Sequence, residues 1–156
     1  MASKAILEAK RVIRAPRPAV FRACTEPGEL AKWWGPKGFT SPSVELDLRV
    51  GGSYRIAMQP PEGELFHLSG EFREVDAPNR LVYTFNWEEP DPEDRETVVT
   101  MSFVDLGEST EVVLVHEGFV TEGRLSLHEG GWSDSLDRLQ ELMSSGGSAA
   151  EPDRRD

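Results

Sequence analysis

Between residues 81 and 87 the chain sets Leu81, Tyr83, Phe85 and Trp87 at every second position, with Val82, Thr84 and Asn86 between them. Side chains in a strand repeat every two residues, so the four bulky groups share one face. A face so apolar must be covered, and this requirement narrows the available folds more than any other feature of the chain. Turn signals surround it: Gly51-Gly52, Pro60-Pro61-Glu62-Gly63, Pro78-Asn79 and Gly107-Glu108-Ser109. They separate strand-like segments at 44–48, 53–58, 66–75, 97–106 and 110–117. Strands joined by such short turns pair antiparallel, because parallel pairing needs long crossovers.

The cover comes from the C-terminal part of the chain. Leu125, His128, Trp132, Leu136, Leu139 and Met143 recur at spacings of three and four, a helical stripe, while Asp134, Asp137, Arg138 and Glu141 lie off it. Gly130-Gly131 interrupts this pattern at about 1 kcal/mol per glycine relative to alanine. The pair reads as a helix start, a kink or a close approach to the sheet; the alternative is room left for a ligand beside Trp132. Upstream, residues 5–14 read as a strand ended by Ala15-Pro16-Arg17-Pro18. Two short helices follow, 18–24 with Pro18 in its first turn and 27–34 with Thr25 as N-cap and Glu26 and Glu29 near its positive end. Gly35-Pro36 stops the second. Trp33 and Trp34 point about 100° apart on a helix, which lets one be buried and the other cover the end. Helix and strand segregate along the chain, so the class is α+β, a curved antiparallel sheet gripping a long C-terminal helix.

The 156 residues suit one domain, set here at 1–143, and the Ser/Gly/Ala-rich and charged stretch 144–156 reads as a disordered tail. A formal net charge of −11 disfavours nucleic acid and anionic membrane as partners. No run approaches the roughly 20 apolar residues needed to span a bilayer. The N-terminus does not read as a signal peptide, since Glu8, Lys10 and Arg11 cut its apolar run short. The expected location is cytoplasmic, consistent with a single cysteine, Cys24, read as a buried structural thiol.

Several local motifs, in order, resemble the SRPBCC (START-like, helix-grip) superfamily, and within it the branch named after the activator of heat-shock-protein-90 ATPase. They are Ala15-Pro16 before Val20-Phe21, Thr25-Glu26-Pro27 leading to Trp33-Trp34-Gly35-Pro36, and Gly51-Gly52-Ser53-Tyr54. Gly70 before Pro78-Asn79-Arg80-Leu81 and Gly131-Trp132 before Leu136 and Leu139 complete the set. The resemblance covers residues 6–143. It implies a cavity between the sheet and the long helix. It also implies three readings of function, since the superfamily holds lipid and hormone binders, aromatase/cyclase enzymes and a chaperone partner.

The first reading is a binder of a small apolar or amphipathic molecule. The inward sheet positions Tyr54, Met58, Phe72, Tyr83, Phe85, Met101, Phe103 and His116 would line the site, with His128, Trp132 and Leu136 from the helix and Trp33 and Trp34 at the mouth. The second is a cyclase/aromatase-like or hydrolytic enzyme in which His116 or His128 moves a proton. The third is a module that contacts a chaperone. No cofactor is implied. His67, His116 and His128 lack metal-ligand spacing, and neither a nucleophile elbow nor a phosphate-binding glycine loop is present.

Overall fold

The computed structural model describes residues 5–89 and 94–145. The element order is β1 (Ala5–Ile13), α1 (Arg17–Ala23), α2 (Pro27–Leu30), β2 (Thr40–Leu46), β3 (Ser53–Gln59), β4 (Phe66–Asp76), β5 (Arg80–Trp87), β6 (Thr97–Asp105), β7 (Thr110–Phe119) and α3 (Glu122–Ser145). The seven strands form one antiparallel sheet in the order β1-β7-β6-β5-β4-β3-β2. The sheet curves but does not close, and β1 and β2 are its two ends. Only β1 is out of sequence order, brought back beside β7 by the helices that follow it. The helix-grip architecture expected from the sequence is the one present.

Period-two burial runs cleanly through the last strands. Thr97, Val99, Met101 and Phe103 of β6 and Thr110, Val112, Leu114 and His116 of β7 are buried, and the residues between them face outward. α3 lies across this inner face. Its buried positions are His128, Trp132, Ser135, Leu136 and Leu139, one stripe of a 24-residue helix. Polar ties fix it to β1: Arg11 donates to Asp137 Oδ1 at 3.1 Å and to Ser133 Oγ at 3.0 Å, and Gln140 donates to the Val12 carbonyl at 2.9 Å.

Three local expectations are corrected. α3 runs unbroken through Gly130 and Gly131, so the glycines mark neither its start nor a close approach. A Cβ on Gly130 would meet nothing within 4 Å, and one on Gly131 would meet only Pro36 Cγ, at 3.9 Å. α2 is a single turn ending at Leu30, not a helix to Trp34, and Thr25 does not cap it. The Thr25 hydroxyl donates back to the Phe21 carbonyl at 2.9 Å. Because the chain leaves the helix before the two tryptophans, they no longer diverge as helical neighbours. Both are buried, Trp33 with its Nε1–H donating to the Ala23 carbonyl at 2.9 Å. The expected tail lies outside the described residues except for Ser144 and Ser145, which end α3.

Gly70 explains itself through Tyr54. The two face each other across β3 and β4, and the Tyr54 hydroxyl reaches over Gly70 to donate to the Thr84 carbonyl at 2.6 Å. A Cβ at position 70 would collide with Thr84 O and stand 2.7 Å from Tyr54 Cε2. Gly70→Ala is therefore expected to cost roughly 1–3 kcal/mol or more, because backbone must move to admit the methyl group. Urea unfolding would show this as a lower midpoint at unchanged slope. An unaltered midpoint would mean that the strand yields freely here.

Candidate functional site

Two tryptophan–histidine bonds dominate the space between α3 and the sheet. Trp132 on α3 donates its Nε1–H to Nδ1 of His116 on β7 at 3.0 Å. An imidazole that accepts at Nδ1 carries its proton on Nε2, which lies 2.7 Å from Thr97 Oγ1, and the Thr97 hydroxyl turns on to the Phe85 carbonyl at 3.3 Å. The second bond runs the other way. Trp87 on β5 donates to Nε2 of His128 on α3 at 3.0 Å, which leaves the His128 proton on Nδ1, 2.7 Å from the Arg124 carbonyl. Each histidine accepts an indole N–H, so both are neutral.

Burial, and then the neighbouring His128, lower the His116 pKa from its ordinary 6.5 to about 3. Burial also lowers the His128 pKa, partly opposed by its bond to the Arg124 carbonyl. A histidine whose two nitrogens are both engaged has to give up a buried bond before it can take or pass a proton.

Beside these bonds lies a half-open cavity of about 580 Å³ between α3, the 34–39 segment and strands β3 to β5. Six aromatic rings form a continuous arc around it. Successive centroids are 6.1 Å apart from Phe39 to Phe66, 5.4 Å to Trp87, 5.2 Å to Phe85, 6.3 Å to Trp132 and 5.2 Å to Trp34. The ends of the arc meet through the chain, since a Cβ on Gly35 would lie 3.3 Å from the Phe39 Cβ. Gly130 and Gly131 form part of the helix wall, and the side chains they lack are what leave this space open.

The polar part of the lining is small. Ser135 Oγ accepts the Gly35 N–H at 3.0 Å, and Asp134 accepts the Lys37 N–H at 3.2 Å. Arg124 is clasped to Asp94, with Nε at 3.0 Å and a terminal nitrogen at 2.6 Å from the same oxygen. Little of either side chain reaches solvent. Separating such a pair would leave an uncompensated buried charge. Trp33, Trp87 and Trp132 all have indole partners, whereas the Trp34 Nε1–H makes no hydrogen bond among the described residues.

Of the residues singled out from sequence, Trp34, Met58, Phe85, His128 and Trp132 come together on the cavity wall. Trp33, Tyr54, Phe72, Tyr83 and Met101 gather instead at the far end of the interior, around a void of only about 20 Å³. Phe103, His116 and Leu136 are buried and line neither space. The two tyrosines expected to line the site turn their hydroxyls to protein, Tyr54 to Thr84 and Tyr83 to the Met101 sulfur at 3.6 Å. Burial raises the pKa of both. Cys24 is buried nearby, its thiol pushed up by desolvation. Among the cavity residues that sequence reasoning did not single out, Phe39, Leu127 and Asp134 carry no periodic signal because they sit in a loop or at the edge of the helical stripe, whereas Phe66 opens β4 on the same alternation as Leu68 and Phe72 and could have been found from it.

One further set of ligating groups meets among the described residues: His67, Glu88 and Glu89. Its acids are already engaged. Arg55 holds Glu88 with two bonds of 2.9 Å, and Glu89 accepts the His67 N–H at 2.9 Å and faces its Nδ1 at 3.2 Å. No helix among the described residues is long and apolar enough to cross a membrane.

The family model for Activator of Hsp90 ATPase homolog 1-like protein matches residues 14–144. Among solved structures, protein NE0264 from Nitrosomonas europaea is similar at 31% identity and a TM-score of 0.76, over 90% of this chain and 94% of that one. The AHSA1 protein SPO3351 from Silicibacter pomeroyi is similar at 27% identity and 0.78, over 90% and 98%. A protein from Arthrobacter aurescens, at 20% identity and 0.80 over 97% and 93%, shares the fold alone. No curated protein matches the chain.

The neutral histidines make stability depend on pH in a defined direction. His116 binds its proton near pH 6.5 when unfolded but only near pH 3 when folded, so the unfolded state holds more protons between these values. Unfolding free energy should be full above about pH 6.5 and fall as the pH drops towards 3, by up to about 1.4 kcal/mol per pH unit from this group. His116→Asn keeps an acceptor near the Trp132 N–H but cannot titrate, so its stability should fall less steeply. Denaturant titrations of both proteins across this range measure the difference, and equal slopes would show that His116 carries no linkage.

Proposed function

The chain belongs to the family of Activator of Hsp90 ATPase homolog 1-like proteins, and on that basis we propose that it binds one small apolar or amphipathic molecule in the cavity between its sheet and α3. The observation that carries the reading is the arc of six rings around about 580 Å³ of unfilled space. Interiors are close-packed, and space on this scale is rarely left in a core that serves packing alone. The volume lies within the range of small-molecule sites, which pair apolar walls with a few polar groups. The Nε1–H of Trp34, without a hydrogen bond among the described residues, gives an acceptor on the guest one donor to meet.

The two glycines of α3 favour the same reading. Alanine at both would strengthen an exposed helix by about 1 kcal/mol each and would meet no obstacle in the fold. Their presence is accounted for by the room they leave.

Proton transfer by His116 or His128 is the weaker reading, because each is neutral and already bonded at both nitrogens.

A neutral environment-sensitive probe, N-phenyl-1-naphthylamine, tests the proposal. It should bind saturably at one site per chain. Gly131→Leu should weaken it by at least about tenfold, because the new side chain would extend from the helix wall into the space, while the unfolding midpoint does not fall. Native mass spectrometry of protein from its own host should show a retained small molecule. Absence of both saturable probe binding and a retained mass would remove the reading.

A further inference from the structure

We propose that the guest of this cavity is a cation, an amine or quaternary ammonium carried on an apolar body. The proposal rests on the binding reading above and adds the identity of the head group.

Two observations carry it. The first is the wall itself. The face of an aromatic ring presents negative potential, and a cation within about 6 Å of a ring centroid is attracted to it, most strongly by tryptophan. Three of the six rings in the arc are indoles, from Trp34, Trp87 and Trp132, and they stand on opposite sides of the space. A positive group in this space would have three indoles along its wall.

The second is the charge of the lining. Glu89 stands just past the end of β5 on the sheet side, and Asp134 stands on α3 on the other. Asp134 forms no ion pair among the described residues; its one hydrogen bond is to the Lys37 backbone. Glu89 accepts the His67 backbone N–H, which holds its carboxyl below the usual carboxylate range, so it is ionised at neutral pH; His67 is its one ion-pair partner among the described residues, and the nearby Arg55 is held by Glu88. Against these two acids, the one basic side chain among the described lining residues is Arg124, which is clasped to Asp94. The cavity therefore offers one carboxylate from the sheet side and one from α3, with no cation outside an ion pair among its described lining residues. An anionic guest would be repelled by both. A neutral guest would gain the apolar contact alone. The formal charge of −11 over the whole chain biases encounter in the same direction.

Three probes on one naphthyl body separate the possibilities: 1-naphthylmethyl-trimethylammonium, 1-naphthalenemethanol and 1-naphthylacetate. Each is titrated calorimetrically into the full chain at low salt. The ammonium should bind about tenfold more tightly than the alcohol, and the acetate more weakly than the alcohol. The double variant Glu89→Gln, Asp134→Asn should lose most of the advantage of the ammonium over the alcohol. If the alcohol equals the ammonium, if the acetate binds best, or if the double variant keeps the full advantage, the cation assignment falls while ligand binding stands. If none of the three binds, both fall.

Discussion

Trp132 and His116 meet where neither has water to turn to, and the seating of α3 follows from that meeting. His116 is wholly buried on β7, so both its nitrogens must find partners within the protein. Thr97 supplies one and the Trp132 indole the other. Leaving the buried Nδ1 without its donor would cost roughly 1–3 kcal/mol, so a helix slid along the sheet would lose more than packing. One turn earlier the arrangement repeats in reverse. His128 lies four residues before Trp132 and so on the same face of α3, and it accepts the N–H of Trp87 from the sheet. Helix indole gives to sheet imidazole, and sheet indole gives to helix imidazole. Two bonds of opposite sense, with Phe85 packed against both imidazoles at 4.6 and 5.7 Å, fix the helix in both translation and rotation.

The same helix positions the segment that closes the cavity. Arg138 gathers the carbonyls of Trp34, Gly35 and Pro36 within 3.0–3.1 Å of a single terminal nitrogen, and its other terminal nitrogen reaches the Lys32 carbonyl at 3.3 Å. Ser135 and Asp134 take the Gly35 and Lys37 N–H groups. A stretch of backbone without secondary structure of its own thus has its polar groups satisfied by one face of α3. Trp34 and Phe39, the two ends of the aromatic arc, are held by this stretch, so the shape of the wall depends on α3 at one remove.

How much of this was legible in the sequence depended on whether a residue acts through periodicity or through a specific partner. The succession of strands along the chain, the long helix and its stripe follow from alternation and from spacings of three and four, whereas the return of β1 to the side of β7 has no such signal. Arg138 has none either. It falls off the apolar stripe and looks like a solvated charge, yet it caps four carbonyls, each more than a hundred positions back in the chain. Trp33 and Trp34 depart from expectation for a related reason: a 100° divergence requires a helix, and the helix stops at Leu30. His116 and His128 were visible as inward residues, but nothing in the sequence says that each is paired with a tryptophan. That pairing turns two candidate acid/base groups into structural acceptors. Phe39 stands beside a turn, where no period marks which way a side chain faces, whereas Phe66 shares the alternation of Leu68 and Phe72 on β4.

The interior is divided along its length, and the division separates what holds the fold from what is open to a guest. At the end near α1 and α2, Tyr54, Phe72, Tyr83 and Met101 close on one another around about 20 Å³, and the buried hydroxyls are tied to Thr84 and to sulfur. At the other end the walls stand apart around about 580 Å³. Both ends draw on the same alternating strands: on β5, Leu81 and Tyr83 serve the packed end and Phe85 and Trp87 the open one. The difference is set on the helix side. The packed end is met by bulky residues of the α2 region, Leu30 and Trp33, whereas the open end faces Gly130 and Gly131. Trp132 stands at the border, its N–H committed to the core and its ring to the cavity wall. A change that fills the open end need not disturb the packed one, because a Cβ on Gly130 would meet nothing within 4 Å and one on Gly131 only Pro36, and this separation allows the cavity to vary in chemistry while the grip on α3 is kept.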